Sequence, residues 1–277
     1  IIGWGSTYYL LTMLAAPIGR DLGLSAGVVA SGMAVMMVVS GIAGPLAGRL
    51  MDMHGASPVM AAGSAFAAAG LAALSVSNGP ASYLAAWVAL GAACPMILYP
   101  AAFTALTQIA PDKARRAITL LTLPGGLAST VFWPLTSWLL TWCDWRTICL
   151  IYAALNLAVC VPIHLLVIPP SGQRNAPPNG RALVIPGLPD ALRPRAFMLF
   201  TTLLALNFML VVGMLNQIAT VLSELGHTPQ TVIAASMLFG VGQVSARAVE
   251  MVIGGRYDLL KGTLAVTAGY AAAVIVL

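Results

Sequence analysis

Charge is scarce in this chain, so its few ionisable side chains mark where chemistry could occur. Only 8% of the 277 residues are Asp, Glu, Lys or Arg, against about 25% in an ordinary soluble domain. Arg49, Asp52 and His54 arrive together between Gly48 and Gly55, in a stretch from Gly44 to Gly55 that is expected to form a tight turn. Arg247 and Glu250 form a second group. Three residues apart on a helix, they share a face and can pair. The Arg247 guanidinium can also hold a carboxylate through two parallel hydrogen bonds. One reading makes Arg247 and Glu250 a substrate-anion or proton site; the other makes them a second helix-end pair like Arg49 and Asp52. Catalytic constellations are missing. His54, His164 and His227 lie in different turns or span ends, with no His-x-Glu-x-x-His or Ser/His dyad. This argues against an enzyme. Cys94, Cys143, Cys149 and Cys160 lack metal-ligand spacing, so neither metal nor cofactor is expected. No Gly-x4-Gly-Lys-(Ser/Thr) loop for ATP is present.

The elements that position these residues are apolar. The chain is 60% hydrophobic, with a mean hydropathy of +0.92, and its apolar runs are near the 20 residues that cross a bilayer as a helix. A β-barrel would instead show alternating runs of about ten residues. The fold class is therefore an all-α polytopic membrane protein. Spans are expected at 1–19, 26–50, 58–78, 81–109, 115–141, 146–168, 196–222, 230–253 and 262–277. The first and last spans read as cut short, as in an incomplete chain. Ser25 is a cap for the second span, and Ser77 to Pro80 form a tight turn. Residues 169–195 are rich in Pro, Gly and Arg and lack helical periodicity. They are the linker between an N-terminal six-helix bundle, 1–168, and the start of a second bundle, 196–277.

Sidedness follows from the basic residues. Of thirteen Lys and Arg, all but Arg20 and Arg146 fall in the linker or the even-numbered loops and adjoining helix ends. Those loops are expected on the cytoplasmic side, with a cytoplasmic N-terminus. The net charge of +5 thus reflects membrane sidedness, and no nucleic-acid partner is expected. Gly44 to Asp52 and Gly242 to Glu250 both read Gly-x4-Arg-x2-acidic. Both end the second span of their half on the same expected side, as in a parallel repeat of two bundles.

These residues resemble the major facilitator superfamily, whose second and third helices are joined by Gly-x-Leu-x-Asp-(Arg/Lys)-x-Gly-(Arg/Lys)-(Arg/Lys). Gly48, Leu50, Asp52 and Gly55 match, whereas Met53, Ala56 and Ser57 replace basic residues. Arg49 fills a variable position. The resemblance implies nine of twelve helices and a gate in which Gly48, Arg49, Asp52 and Gly55 work with Arg247 and Glu250. It also implies a central cavity between helices one, four, seven and ten. Tyr8, Tyr9, Tyr99 and Asn207 then become candidate substrate contacts, beside Arg247. Trp133, in the middle of the fifth span, is a further candidate; Trp87, Trp138 and Trp142 read as interfacial anchors. Gly3-Trp4-Gly5 is similar to the start of monocarboxylate-porter-like members.

The expected activity is secondary transport of a small solute by alternating access, preferably a small organic anion such as a monocarboxylate. The alternatives are a drug or metabolite exporter and, from another class, a non-transporting membrane sensor. The expected partners are the solute, the lipid bilayer and a coupling proton; the expected location is a bacterial inner membrane.

Overall fold

The computed structural model describes residues 1–169 and, beyond them, 195–196, 198–203 and the single positions 206, 226, 245, 262, 268 and 269. Asn207, Arg247, Glu250 and nearly all of the three last expected spans lie outside the described residues. The chain divides into two compact units, Ile1–Asn175 and Ala176–Leu277. The helices labelled below belong to the first.

A wide π-helical turn, Trp4–Tyr8, leads into α1, Leu10–Leu22. Then come α2, Ala26–His54; α3, Ala56–Ser75; α4, Pro80–Ile97; and α5, Tyr99–Ile109. The fifth span is α6, Ala114–Gly126, followed by α7, Ala128–Leu139. The sixth is α8, Trp145–Leu155, a π-helical turn, Asn156–Cys160, and α9, Val161–Leu166. Among the described residues, Ala26–His54, Ala56–Ser75, Pro80–Ile109 and Trp145–Leu166 are long and apolar enough to cross a membrane. There is no strand among them. The all-α polytopic fold is thus observed.

Local chemistry sets most helix ends. The backbone N–H of Val28 reaches the Ser25 hydroxyl, and that of Thr147 donates to the Asp144 carboxylate at 2.8 Å. Both residues stand at helix N-caps, where such bonds satisfy otherwise unpaired donors. Proline and glycine interrupt the spans. α4 gives way to α5 at Leu98 (φ −93°, ψ −163°), two residues before Pro100, which has no N–H and whose ring opposes the carbonyl four residues back. Leu127 divides the fifth span after Pro124, Gly125 and Gly126, and its N–H bonds only three residues back, to Pro124. The π turn at 156–160 ends two residues before Pro162, where a widened turn accommodates the proline ring. Pro95 and Pro134 lie inside α4 and α7.

One local expectation requires correction. Gly44 to Gly55 is not a turn. α2 continues through Pro45, Arg49 and Asp52 to His54, well past the expected end at 50. The turn is Gly55 alone, at φ 84° and ψ 164°, where a side chain would be strained. Gly55 N–H donates to the Met51 carbonyl at 2.9 Å and closes α2.

The centre is built from small residues. α3 is Ala- and Gly-rich and buries most of its length against α4 and α8. Such packing replaces water-driven burial as the organising force between helices in lipid. α2 meets α4 where Gly91 lies against the α2 backbone: a Cβ there would come within 2.8 Å of the Met36 carbonyl oxygen. Gly41, Gly44 and Gly48 have nothing within 4 Å of a built Cβ, so no close helix approach is made there among the described residues. Trp87, expected as an interfacial anchor, is fully buried in the core with Tyr83, Leu71 and Leu90. Trp138 and Trp142 are exposed at 58% and 76%, as interfacial residues would be.

Candidate functional site

Four of the sequence candidates meet. The Trp4–Tyr8 turn and Tyr9, α5 and α7 bring their aromatic rings into one connected cluster. Trp4 lies 5.1 Å from Tyr8 and 4.8 Å from Tyr99, measured between ring centroids. Tyr8 and Tyr9 meet edge to face at 5.3 Å, and Tyr9 meets Trp133 the same way at 5.9 Å. Tyr99 stacks on Phe103 at 5.2 Å. These separations are those of favourable aromatic pairs. The rings are half-buried, and Trp133 is 39% exposed, so the cluster keeps accessible ring surface.

Backbone irregularity positions it. The π turn widens the helix and places Trp4 and Tyr8 together, with the Phe132 ring of α7 against Gly5, where a Cβ would overlap it. The break at Leu98 starts α5 with Tyr99, whose hydroxyl lies against Gly125. Beneath the cluster, Asn156 is fully buried and donates to the Ser6 hydroxyl at 3.0 Å and to the Tyr152 carbonyl at 2.8 Å. The Tyr152 and Thr136 hydroxyls meet at 2.6 Å. These bonds anchor the first and fifth spans to the sixth. A separate cavity of about 340 Å³, lined by Ile2, Ser64, Asn156, Cys160 and His164 among others, contains none of the aromatic candidates.

The cluster is built from side chains that carry no formal charge of their own. Aromatic faces attract cations and stack on planar solutes, and the hydroxyls of Tyr8, Tyr9 and Tyr99 can donate or accept hydrogen bonds to a polar group. Asn207 and Arg247, the other candidate contacts, lie outside the described residues.

Arg49 and Asp52 are exposed in the last two turns of α2. The Gly55 junction beside them explains two of the three missing basic residues. Ala56 and Ser57 are 1% and 5% exposed. Ser57 donates to the His164 carbonyl at 2.7 Å. A Lys or Arg at either position would bring an unpaired charge into this packing. Nothing among the described residues explains Met53, which is 72% exposed.

Two polar anchors escaped sequence reading. Gln108, the sole side-chain amide in Pro80–Ile109, bridges both helices of the junction. Arg146 donates to Asp21 at 2.9 Å and to the Ser75 and Ser77 carbonyls at 2.6 and 2.7 Å. Its guanidinium carbon lies 4.5 Å from the Trp145 ring centroid. The signal for Arg146 was its isolation in a loop otherwise poor in basic residues.

An all-α unit with apolar, interrupted spans and a glycine junction between its second and third helices defines a polytopic membrane protein. The family model of the Major Facilitator Superfamily matches residues 1–277, and the chain belongs to that family. It is 26% identical over 271 residues to the multidrug resistance protein MdtH of Aeromonas hydrophila, covering 95% of this chain and 66% of that protein. Against MdtH of Aeromonas salmonicida it is 25% identical over 272 residues, with the same coverage. It is 34% identical over 185 residues to an uncharacterized 38 kDa protein of the 23S RNA operon of Thermoproteus tenax, covering 66% of this chain and 48% of that protein. The chain thus spans less than two-thirds of each of these relatives. No solved structure matches it.

Proposed function

We propose that this chain belongs to a secondary transporter that exports planar, lipophilic or cationic solutes across a bacterial inner membrane by alternating access. The observation that carries this reading is the aromatic cluster of Trp4, Tyr8, Tyr9, Tyr99, Phe103 and Trp133. The names of the two Aeromonas relatives, multidrug resistance proteins, agree with it. Residues 1–168 and 196–277 act as two bundles joined by a cytoplasmic linker, 169–195, with the N-terminus in the cytoplasm. Gly48, Arg49, Asp52 and Gly55 gate the cycle with Arg247 and Glu250, and a proton drives it. No catalytic step is proposed. A small organic anion is the second reading and rests on Arg247, a guanidinium able to grip a carboxylate.

Everted membrane vesicles separate the two. Ethidium should accumulate when a proton gradient is applied, and Trp133→Ala should weaken its apparent affinity about three- to tenfold, the scale of one ring contact. Proteoliposome counterflow of labelled lactate should be absent. Lactate counterflow without ethidium accumulation would establish the organic-anion reading instead.

A further inference from the structure

We propose that Gln108 is a positioning residue that locks the Gly55 junction through an uncharged two-way clamp. The functional arm of this proposal rests on the transporter reading above. The Ala56 N–H donates to Gln108 Oε1 at 3.0 Å, and Gln108 Nε2 donates to the Met51 carbonyl at 3.1 Å. One amide from the end of α5 thereby holds the last turn of α2 and the first turn of α3. The partners fix its orientation: one is a donor and the other an acceptor, so a flipped amide would oppose both. α3 needs this help, because its N-cap, Gly55, has no side chain to satisfy the first helical N–H groups.

The clamp is sheltered. Met51 and Ala56 are each 1% exposed and pack with Val59, Met60, Ala101 and Ala105 in a small core of their own. From the other side, α9 holds α3 through the bond from Ser57 to the His164 carbonyl and a 3.1 Å contact between Ser64 Oγ and His164 Nδ1. Asp52 immediately follows the clamped Met51 in the last turn of α2, so the clamp holds the turn that carries the exposed Asp52. The neutral amide here does work that charged side chains could not do at the buried positions 56 and 57.

The test uses the full-length protein in nanodiscs and in everted vesicles. Gln108→Met keeps the bulk and removes both bonds. Gln108→Glu keeps the acceptor for Ala56 but turns a carboxylate oxygen on the Met51 carbonyl. Hydrogen exchange at the amides of residues 55–57 and 59 should quicken about tenfold in Gln108→Met, the scale of one hydrogen bond. It should quicken in Gln108→Glu as well, while residues 144–148 at the other end of the unit stay unchanged. Ethidium export should lose maximal rate with its KM unchanged. Unaltered exchange in both variants would overturn the clamp. Quickened exchange with an unaltered maximal rate would overturn the positioning role, as would a change confined to KM. If the wild-type protein moves no ethidium, the export reading fails, and exchange alone decides whether Gln108 holds the junction.

Discussion

At the scale of single residues, hydrogen bonds to backbone groups do more here than ion pairs. Arg146 illustrates this. Its contact with Asp21 is partly exposed, with side chains 32% and 48% accessible, and such a pair alone contributes about 0–1 kcal/mol. Its bonds to the Ser75 and Ser77 carbonyls also close the end of α3 and tie it to α1 and α8. Arg146→Lys keeps the charge but not the fork. We expect it to lower the thermal unfolding midpoint in detergent nearly as much as Arg146→Ala; full retention of the midpoint would show that charge alone suffices. Asp144 gives a pH-dependent counterpart. Hydrogen bonds from Thr147 hold its carboxyl below the usual carboxylate range. A depressed folded value means that the cap stabilises above the unfolded carboxyl's range and loses this contribution as pH falls through the folded value. Asp144→Ala should cost about 1 kcal/mol at pH 7 and Asp144→Asn little. The difference between wild type and Asp144→Asn should change only below about pH 4, which unfolding followed across pH would check.

At the scale of elements, glycine and proline decide where helices touch and where they break. Gly91 admits the α2 backbone, so Gly91→Ala must push α2 and α4 apart and should destabilise by about 1–3 kcal/mol. Gly27, with open space around its Cβ position, is the control: Gly27→Ala should be neutral or mildly stabilising. Unfolding of the two variants in the same detergent compares them directly. These elements also show what a sequence pattern carries. The Ser25 cap and the Gly55 turn are local, so neighbouring residues reveal them. The end of α2 was misjudged because polarity at Arg49 and Asp52 signals the membrane boundary, whereas a helix continues into water until a residue such as Gly55 stops it. Trp87 was misassigned for a related reason: position along a span does not say which side of the helix meets a neighbour.

At the scale of the whole molecule, the asymmetry of basic residues predicts sidedness. A cysteine at Met53, 72% exposed beside Gly55, should react with a membrane-impermeant maleimide only in everted vesicles. One at Asn78, exposed in the turn after α3, should react only in intact cells; the reverse pattern would invert the topology. Apolar length, caps, the glycine junction and charge asymmetry were legible because each is written in contiguous residues and the bilayer imposes one length and one polarity on all of them. Tertiary structure alone decided that Tyr8, Tyr9, Tyr99 and Trp133 share a surface. It alone directed Arg146 to Asp21, 125 residues away, and Gln108 to Ala56, 52 residues away. Those meetings depend on which faces of the helices pack and on the turns at Leu98 and Leu127. In helices apolar on every side, hydrophobic periodicity carries no record of either.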